Sequence, residues 1–308
     1  MKSSFKGYFY GIATSMTFGL IPLFTLPVLD KGVGYESILF HRFLFATLAL
    51  GLMIVFKGES FRIKPRRELP MLLLLALFYT ASSLFLLLGY NYMGAGIATT
   101  IHFTYPLMVS LIMFSIFKEQ TDWITWVAIL LAVAGVAILS LGDGGALKFE
   151  MKGLIIVLLS AVGYASYICG VNKSRLRTMN GRKLAFYVFL FTTVMITIQN
   201  VADGGIEPLP DLSSYVYMML LAILPTVVSN ITLVLAVQNI GGTMTSVLGA
   251  LEPLTAVCIG VLVFGEPFAL SEAAGIILIL SAVTAVILSG SIRNSISTVV
   301  KKIRPRHA

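Results

Sequence analysis

Four ionisable side chains lie inside long apolar stretches of the sequence, and they are the first candidates for chemistry. They are His41, Arg42, His102 and Glu252. A charged group in a hydrocarbon environment costs about 2.5–3.5 kcal/mol on insertion scales, so such residues usually face a cavity or a partner. Glu252 offers proton binding or capture of a cationic group, and Arg42 offers bidentate recognition of a carboxylate or phosphate.

Glu252 is expected near the middle of a long apolar helix. It lies about nine residues into the predicted helix 243–264, which is roughly 14 Å of depth at 1.5 Å per residue. Pro253 follows it, and because proline lacks an N–H, the carbonyl of Gly249 should lose its helical partner. The alternative to a functional role is a structural Glu252 that is hydrogen-bonded to neighbouring helices.

Arg42 is expected about six residues from one end of the predicted helix 36–56. It could extend its guanidinium to the membrane surface, pair with Asp30 or Glu36, or bind an anionic solute. His41 is adjacent on the same helix and must therefore point in a different direction.

His102 belongs to a short polar stripe. Thr99, His102 and Tyr105 follow one another at a spacing of three, so they share one face of a helix. The imidazole of His102 can both donate and accept hydrogen bonds. The stripe favours a cavity lining, and the alternative is a packing histidine with one satisfied hydrogen bond.

A second polar stripe follows the predicted helix 69–92. Tyr79, Ser83 and Tyr90 recur at spacings of four and seven, which places them on one helical face. Asn230 stands 147 residues after Ser83 and is assigned to the same cavity. Such stripes also occur where helices simply pack. Weaker candidates of the same kind are Phe18, Ser82, Tyr164, Tyr167, Ser229 and Gln238.

The elements that position these residues are predicted to be membrane-spanning helices. Apolar residues make up 57% of the 308 positions and charged residues only 12%, compared with about 25% charged in soluble proteins. A bilayer core requires about 20 apolar residues per helix. The sequence therefore predicts an all-α integral membrane protein with ten helices: 7–28, 36–56, 69–92, 95–117, 122–142, 152–172, 183–202, 212–238, 243–264 and 270–290. The first is not expected to be a cleaved signal.

Two segments of the sequence are similar to each other. Residues 88–119 and 235–266 align without a gap at an offset of 147. Seven positions are identical, including Pro106 with Pro253 and Glu119 with Glu266. Each half then holds five helices, and an odd number makes the second copy enter the membrane from the opposite side. The predicted organisation is an inverted repeat, with halves 1–146 and 147–291 and a basic cytoplasmic tail 292–308.

The basic residues predict how the helices are oriented. If the N-terminus is cytoplasmic, the inner segments contain 18 Lys and Arg and the outer segments contain 3. This asymmetry satisfies the positive-inside rule and places both termini in the cytoplasm. It also explains the net charge of +8 by a basic face toward anionic lipid, so no nucleic-acid partner is expected.

The repeated segments resemble a known family. TYPLMVSLIMFSIFKEQ and WVAILLAVAGVAILS in the first half, with LEPLTAVCIGVLVFGEP and EAAGIILILSAVTAVILS in the second, are similar to EamA-type members of the drug/metabolite transporter superfamily, and FHRFLFATLAL resembles the family's arginine-containing second helix. The resemblance implies ten helices, both termini inside, a central cavity, and secondary transport of metabolites or amino-acid-like solutes. The expected location is the cell inner (plasma) membrane. Tyr105 departs from the pattern because Glu252 stands at the matching position of the second half.

Several other functions lack their motifs. The sequence contains no G-x-x-x-x-G-K-[ST] phosphate loop, no zinc-ligand cluster and no G-x-S-x-G elbow. No cofactor is therefore expected, and Cys169 and Cys258 are expected to be buried, reduced thiols. A small-molecule substrate is expected, with protons as a possible coupling ion, in a monomer or homodimer. The open alternatives are a channel or facilitator and, further off, an intramembrane enzyme using Glu252 and His102.

Overall fold

The computed structural model describes residues 2–92, 98, 101–141, 151–202, 204–263, 265 and 273–285. All regular structure within these ranges is helical. The α-helices are α1 Lys2–Phe18, α2 Ile21–Leu29, α3 Tyr35–Phe56, α4 Pro65–Tyr90, α5 Tyr105–Ser115, α6 Trp123–Leu141, α7 Met151–Lys173, α8 Gly181–Ala202, α9 Leu212–Ala222, α10 Ser229–Ile240, α11 Gly242–Leu248, α12 Leu251–Val263 and α13 Ala273–Ala285. A 3₁₀ turn covers Arg175–Thr178, and a π-helical turn, Ile223–Val228, joins α9 to α10.

Seven of the described helical stretches are long and apolar enough to cross a membrane: Phe5–Leu29, Tyr35–Phe56, Pro65–Gly89, Met151–Lys173, Gly181–Ala202, Leu212–Ile240 and Gly242–Val263. Three shorter apolar helices lie within the predicted segments 95–117, 122–142 and 270–290. The prediction of an all-α membrane fold agrees with this arrangement, and the count of ten spanning helices stays a prediction. The tail 292–308 lies outside the described residues.

Three of the predicted helices are interrupted, and the segment 95–117 breaks at Phe103–Thr104, just before α5. The first predicted helix breaks at Gly19–Leu20, between α1 and α2, and Pro22 begins the new helix in its first turn. The segment 243–264 breaks at Gly249–Ala250, so that Glu252 falls in the first turn of α12 instead of the middle of one continuous helix. Each of the three breaks lies within a few residues of a proline that cannot donate a backbone hydrogen bond, namely Pro22, Pro106 or Pro253.

Small residues allow the helices to approach closely. A Cβ placed on Gly7 would lie 2.5 Å from Ile240 Cγ2, and one on Gly11 would lie 2.4 Å from Leu248 Cδ1. Gly163 of α7 faces the backbone of α4, where a Cβ would come within 3.1 Å of a carbonyl oxygen. In lipid, where apolar surface gains little by helix association, such close packing holds helices together.

The outer surface of the bundle is apolar. Leu52, Leu130 and Ile198 are all more than half exposed, which suits a hydrocarbon surrounding and would be unfavourable over so wide an area in water. The expectation of two buried thiols is wrong for one of them, because Cys169 is buried whereas Cys258 is exposed. Cys258 lies on an outward face of α12, and a thiol is apolar enough to face lipid.

The loops collect at two ends of the bundle. Residues 57–64 and 174–180 form what we call the basic end, where Lys183 Nζ donates to the carbonyl of Arg62 at 3.0 Å and Arg182 pairs with Glu59. Residues 30–34 and 204–211 form the opposite end, where Lys31 Nζ lies 2.7 Å from Asp211 Oδ2. The ammonium of Lys31, with the backbone N–H of Ser214, holds the pKa of Asp211 well below its usual range.

Candidate functional site

One cavity of about 260 Å³ lies in the interior of the bundle. It is bounded by both halves of the broken first helix, by α3, α4 and α7, by the start of α5 and by the start of α12. Six of the nine sequence-predicted site residues line it: Arg42, Tyr79, Ser83, His102, Tyr105 and Glu252. The lining reaches Tyr35 in the first turn of α3, which is 36% exposed, so the cavity extends toward the opposite end.

Arg42 is a buried cation in the wall of this cavity. Its Nε donates to Thr226 Oγ1 at 2.7 Å, and its Nη2 lies 3.4 Å from the carbonyl oxygen of Pro225. The guanidinium carbon also lies 5.4 Å from the ring centroid of Phe43. Of the alternatives that the sequence left open for Arg42, an ion pair with Asp30 or Glu36 is not found among the described residues, because α3 turns Arg42 toward the π-helical turn.

The π-helical turn Ile223–Val228 makes this contact possible. Pro225 lacks an N–H, and the wider turn lets Thr226 Oγ1 donate to the carbonyl of Leu221 at 2.8 Å while still accepting from Arg42. Wide helical turns of this kind are frequent at functional sites. The turn therefore supplies two oxygens to a cation that has no acidic neighbour within ion-pair distance among the described residues.

Glu252 faces the cavity from the restart of α12. Pro253 cannot supply the ordinary helical partner of the Gly249 carbonyl, and the backbone N–H of Glu252 donates to that carbonyl instead, at 2.9 Å. A carboxylate in the first turn of a helix is stabilised by the helix dipole. Its oxygens make no hydrogen bond or ion pair with another described side chain, which leaves them for a ligand in the cavity.

His102 is held by a hydrogen-bonded pair of serines. Ser160 Oγ donates to the carbonyl of Ser82 at 2.6 Å and lies 2.9 Å from His102 Nδ1. Since the single hydroxyl hydrogen is used on the carbonyl, which can only accept, Nδ1 must carry the proton that joins it to Ser160. The neutral imidazole then keeps Nε2 as an acceptor.

Aromatic rings form one side of the cavity. Tyr164 packs edge-to-face against Tyr105, with ring centroids 4.8 Å apart, and lies 5.8 Å from the ring of His102. Tyr79 packs edge-to-face against Tyr167 at 5.0 Å. Ring faces of this kind accept apolar groups and, at close range, cations.

Three predicted site residues are not placed in the cavity lining. Asn230 lies behind it, where its Nδ2 donates to Tyr79 Oη at 3.3 Å and its Oδ1 accepts from Tyr167 Oη at 3.4 Å. Thr99 and the side chain of Tyr90 lie outside the described residues. His41 points away, as expected from its position, and its Nε2 lies 3.0 Å from the carbonyl oxygen of Glu207.

Several lining residues were missed or ranked low by sequence. Phe18, Ser82 and Tyr164 were only weak candidates, and Thr25, Tyr35 and Phe103 were not singled out. The polar members carried a signal, since Thr25 and Tyr35 flank the proline break and the start of α3. The remaining lining residues are mostly aliphatic and carry no such signal: they include Ile21, Ile38, Leu39, Leu86, Leu87, Leu221 and Ala256.

The basic-end side of the cavity is tightly packed. A Cβ on Gly249 would lie 1.8 Å from Tyr105 Oη, and one on Gly242 would lie 2.9 Å from Met113 Cε. Lys173 Nζ also lies 3.3 Å from Glu119 Oε2, joining α7 to the residues that follow α5. Among the described residues, the cavity is tightly packed toward the basic end, and its lining reaches the surface at Tyr35 toward the opposite end.

Known proteins are similar to this chain over most of its length. The sequence profile of the EamA-like transporter family matches residues 5–141 and again residues 151–288. The uncharacterized transporter YdfC of Bacillus subtilis (strain 168) is 24% identical over 256 residues, covering 80% of each chain. The uncharacterized inner membrane transporter YedA of Escherichia coli (strain K12) is 25% identical over 250 residues, covering 80% of this chain and 79% of YedA.

A solved crystal structure has the same fold. It superposes with a TM-score of 0.80 at 15% identity, over 94% of this chain and 98% of the other. At that identity the likeness concerns the fold alone, whereas the two profile matches together span most of the sequence. The chain belongs to the EamA-like transporter family.

Proposed function

We propose that this membrane transporter is a secondary transporter that moves a small polar or amphipathic solute by alternating access through the central cavity. Arg42 and Glu252 both line one cavity and form no ion pair with each other, and this observation carries the proposal. Two opposite charges inside a membrane protein are costly unless a ligand or a proton uses them.

The chemistry of the lining favours a zwitterionic, amino-acid-like solute. Arg42 suits a carboxylate, Glu252 suits an ammonium group, and the rings of Tyr105 and Tyr164 suit an apolar body between them. The volume of about 260 Å³ lies just below the range of about 300–1,000 Å³ that accommodates drug-sized ligands. A metabolite of modest size therefore fits better than a large hydrophobic drug.

Alternating access would follow from an inverted repeat of ten helices. Matched contacts in the two halves support it: Ser160 Oγ donates to the carbonyl of Ser82, and Thr14 Oγ1 donates to the carbonyl of Ser229. Two similar halves related by a pseudo-two-fold axis can exchange their conformations, which gives two arrangements, each open to one side. The described arrangement, closed at the basic end, would be one of these two states.

The basic end is proposed to be cytoplasmic, in a bacterial inner membrane. The excess of Lys and Arg at this end supports the orientation, which makes the described state open to the outside. Labelling of single cysteines by a membrane-impermeant reagent tests it. A cysteine at Gly204 should react from outside and one at Gly58 should not, and the reverse pattern would refute the orientation.

The function is tested in proteoliposomes that contain the purified protein. After a thermal-shift screen of metabolites, the stabilising solutes are loaded inside and uptake of labelled solute is followed. A secondary transporter accelerates uptake of label when unlabelled solute is preloaded, because the carrier returns loaded. A channel gives no such counterflow. Chemical conversion of the solute during the assay would instead indicate an enzyme.

A further inference from the structure

A second cavity lies at the basic end, away from the central one. It is an open cleft of about 400 Å³, lined by Lys64, Arg67, Glu68, Arg175 and Thr178. Lys64 is the N-cap residue of α4, and Arg67 and Glu68 lie in the first turn of that helix. Arg175 and Thr178 begin and end the 3₁₀ turn that precedes α8. The cleft thus separates a helix start from a neighbouring loop.

The charges around this cleft are unbalanced. Glu68 is already engaged, because its Oε2 accepts from the backbone N–H of Lys64 at 2.8 Å. The side chains of Lys64, Arg67 and Arg175 take part in none of the ion pairs found among the described residues. Three cations facing one cleft repel each other, and a multivalent anion between them would remove that repulsion.

The opposite end of the bundle shows what is absent here. Asp211 stands 147 residues after Lys64 and is likewise the N-cap residue of its helix, α9. Lys31, from the loop that precedes α3, donates to both carboxylate oxygens of Asp211, at 3.0 and 2.7 Å. At that end a carboxylate joins the helix start to the loop. At the basic end the matching N-cap is a lysine and the loop contributes Arg175. Glu68 is the acid in the cleft lining, but it binds the backbone N–H of Lys64 on its own helix, and no carboxylate joins that helix start to Arg175 by an ion pair among the described residues.

We propose that the cleft binds a phosphate-type anion, which joins the start of α4 to the 3₁₀ turn as Asp211 joins α9 to Lys31. Arginine side chains bind phosphate oxygens through two parallel N–H donors, and the hydroxyl of Thr178 supplies a further donor. Pro65 begins a stretch that is long and apolar enough to span a membrane, which would place the cleft at the depth of lipid headgroups. The phosphate can therefore come from an anionic lipid or from a soluble phosphate.

The experiment measures thermal unfolding of the purified full chain in nanodiscs. Phosphatidylcholine nanodiscs are the reference, and the two additions are phosphatidylglycerol in the bilayer and inorganic phosphate in the buffer at matched ionic strength. A ligand that binds the folded state raises the melting temperature. A rise with phosphatidylglycerol alone assigns the site to lipid, and a rise with inorganic phosphate assigns it to phosphate from either source. No rise with either addition overturns the proposal.

Two double variants locate the effect. Lys64→Ala with Arg175→Ala removes cations on both sides of the cleft and should weaken binding about fivefold for each cation lost. Arg62→Ala with Arg66→Ala removes two exposed cations of the same end that do not line the cleft. The control should respond like the wild type. An equal loss in both double variants would mean that general surface charge, and not the cleft, attracts the anion, and would overturn the site.

A third variant tests the comparison with the opposite end. Lys64→Asp places a carboxylate at the N-cap, opposite Arg175, and so recreates the arrangement of Asp211 and Lys31. This variant should melt at a higher temperature than the wild type without added anion and should no longer respond to either phosphate source. A response as large as that of the wild type would overturn the proposed bridging role. The melting temperature is measured without transport, so a failure of the anion-site proposal can be distinguished from a failure of the proposed transport function.

Discussion

The helix α3 in the first half and the helix α8 in the second half carry nearly the same five residues, FLFAT at 43–47 and FLFTT at 189–193. They also meet each other. The rings of Phe43 and Phe189 lie 5.5 Å apart, and the hydroxyl oxygens of Thr47 and Thr193 lie 3.4 Å apart. Matching residues that touch are what a pseudo-two-fold axis between these helices would produce.

The cavity breaks this correspondence. Three matched pairs of positions, each with an ionisable cavity residue, have different kinds of side chain in the two halves. The pairs are Arg42 with Val188 at an offset of 146, and Tyr105 with Glu252 and His102 with Gly249 at an offset of 147. The packing framework is therefore shared while the chemistry is not. A solute in the cavity would meet a cation from one half and a carboxylate from the other.

Glu252→Gln should have the largest effect, because it removes the carboxylate that distinguishes the second half from the first in the cavity. Glutamine keeps the shape but can neither hold a proton nor attract a cation. The ligand or proton that binds the Glu252 carboxylate must offset an insertion cost of about 2.5–3.5 kcal/mol. Because the variant loses an interaction of that size, counterflow should fall about 100-fold. Folding should be intact by thermal unfolding. Glu36→Gln, an exposed carboxylate in the first turn of α3, is the control and should leave counterflow unchanged.

Transport by Glu252→Gln at the wild-type rate, with an unchanged pH profile, would reduce Glu252 to a structural residue. The asymmetry of the cavity would then rest on Arg42 as an anion anchor.

Arg42→Met makes the first half resemble the second, where Val188 is buried and apolar. A hydrogen bond to a charged group contributes about 1.5–3 kcal/mol, so uptake of a carboxylate-bearing solute should show a KM about 10–100-fold higher. The same solute with its carboxylate replaced by an amide should lose much less. Arg42→Lys, which keeps the charge without the planar fork, should fall between the two. Equal effects on both solutes would show that Arg42 acts through its hydrogen bond to Thr226 and not by contacting the carboxylate.

Sequence reasoning identified the ionisable residues of the cavity but not their partners. Arg42 was found because a charge inside an apolar helix needs a reason. Thr226 and Pro225 could not be chosen as its partners, because the π-helical turn that presents them depends on packing between distant helices. Asn230 was placed in the cavity by its spacing, yet Tyr79 stands in front of it. Periodicity places a residue on a helical face but does not say how many layers of side chains lie between that face and the cavity.

The aliphatic lining residues could not be predicted from the sequence, for a related reason. Leu86 and Ile38 look like any other apolar residue of a spanning helix, and an apolar side chain suits lipid, a packed interface and a cavity wall equally well. The all-helical membrane fold, in contrast, follows from composition and segment length alone.

Gly249→Ala tests the position in the second half that matches His102 in the first half. A Cβ at Gly249 would lie 1.8 Å from Tyr105 Oη and 2.8 Å from the carbonyl oxygen of Ser246. Overpacking of this kind should lower the free energy of unfolding by about 1–3 kcal/mol, measured by chemical unfolding in detergent. Adding Tyr105→Phe removes the nearest atom and should restore part of the loss. No restoration would place the strain on the Ser246 carbonyl instead.

His102→Ala tests the other member of that pair. The expected effect is a weaker solute affinity without loss of transport, because a neutral hydrogen bond contributes about 0.5–1.5 kcal/mol, or roughly threefold to tenfold in KM. Ser160→Ala should give a smaller change of the same sign, since it frees the imidazole that Ser160 now holds through Nδ1. If Ser160→Ala has the larger effect, the hydroxyl itself and not the imidazole contacts the solute.

Lys31→Met should have the smallest effect, because it removes only the exposed ion pair with Asp211 at the opposite end. Lys64, which matches Asp211 in the first half, forms no ion pair among the described residues. The side chain of Asp211 still caps α9 through the backbone N–H of Ser214. Because the folded-state pKa of Asp211 is lowered, the pair stabilises the fold above the unfolded pKa of about 3.9, and this contribution is lost as the pH falls through the lower folded value. The melting temperatures of wild type and variant should therefore differ by a small constant amount between pH 5 and 8 and converge only in stronger acid. Lys6→Met, an exposed lysine at the start of α1, serves as the control, and a difference that grows between pH 5 and 8 would assign the titration to another group.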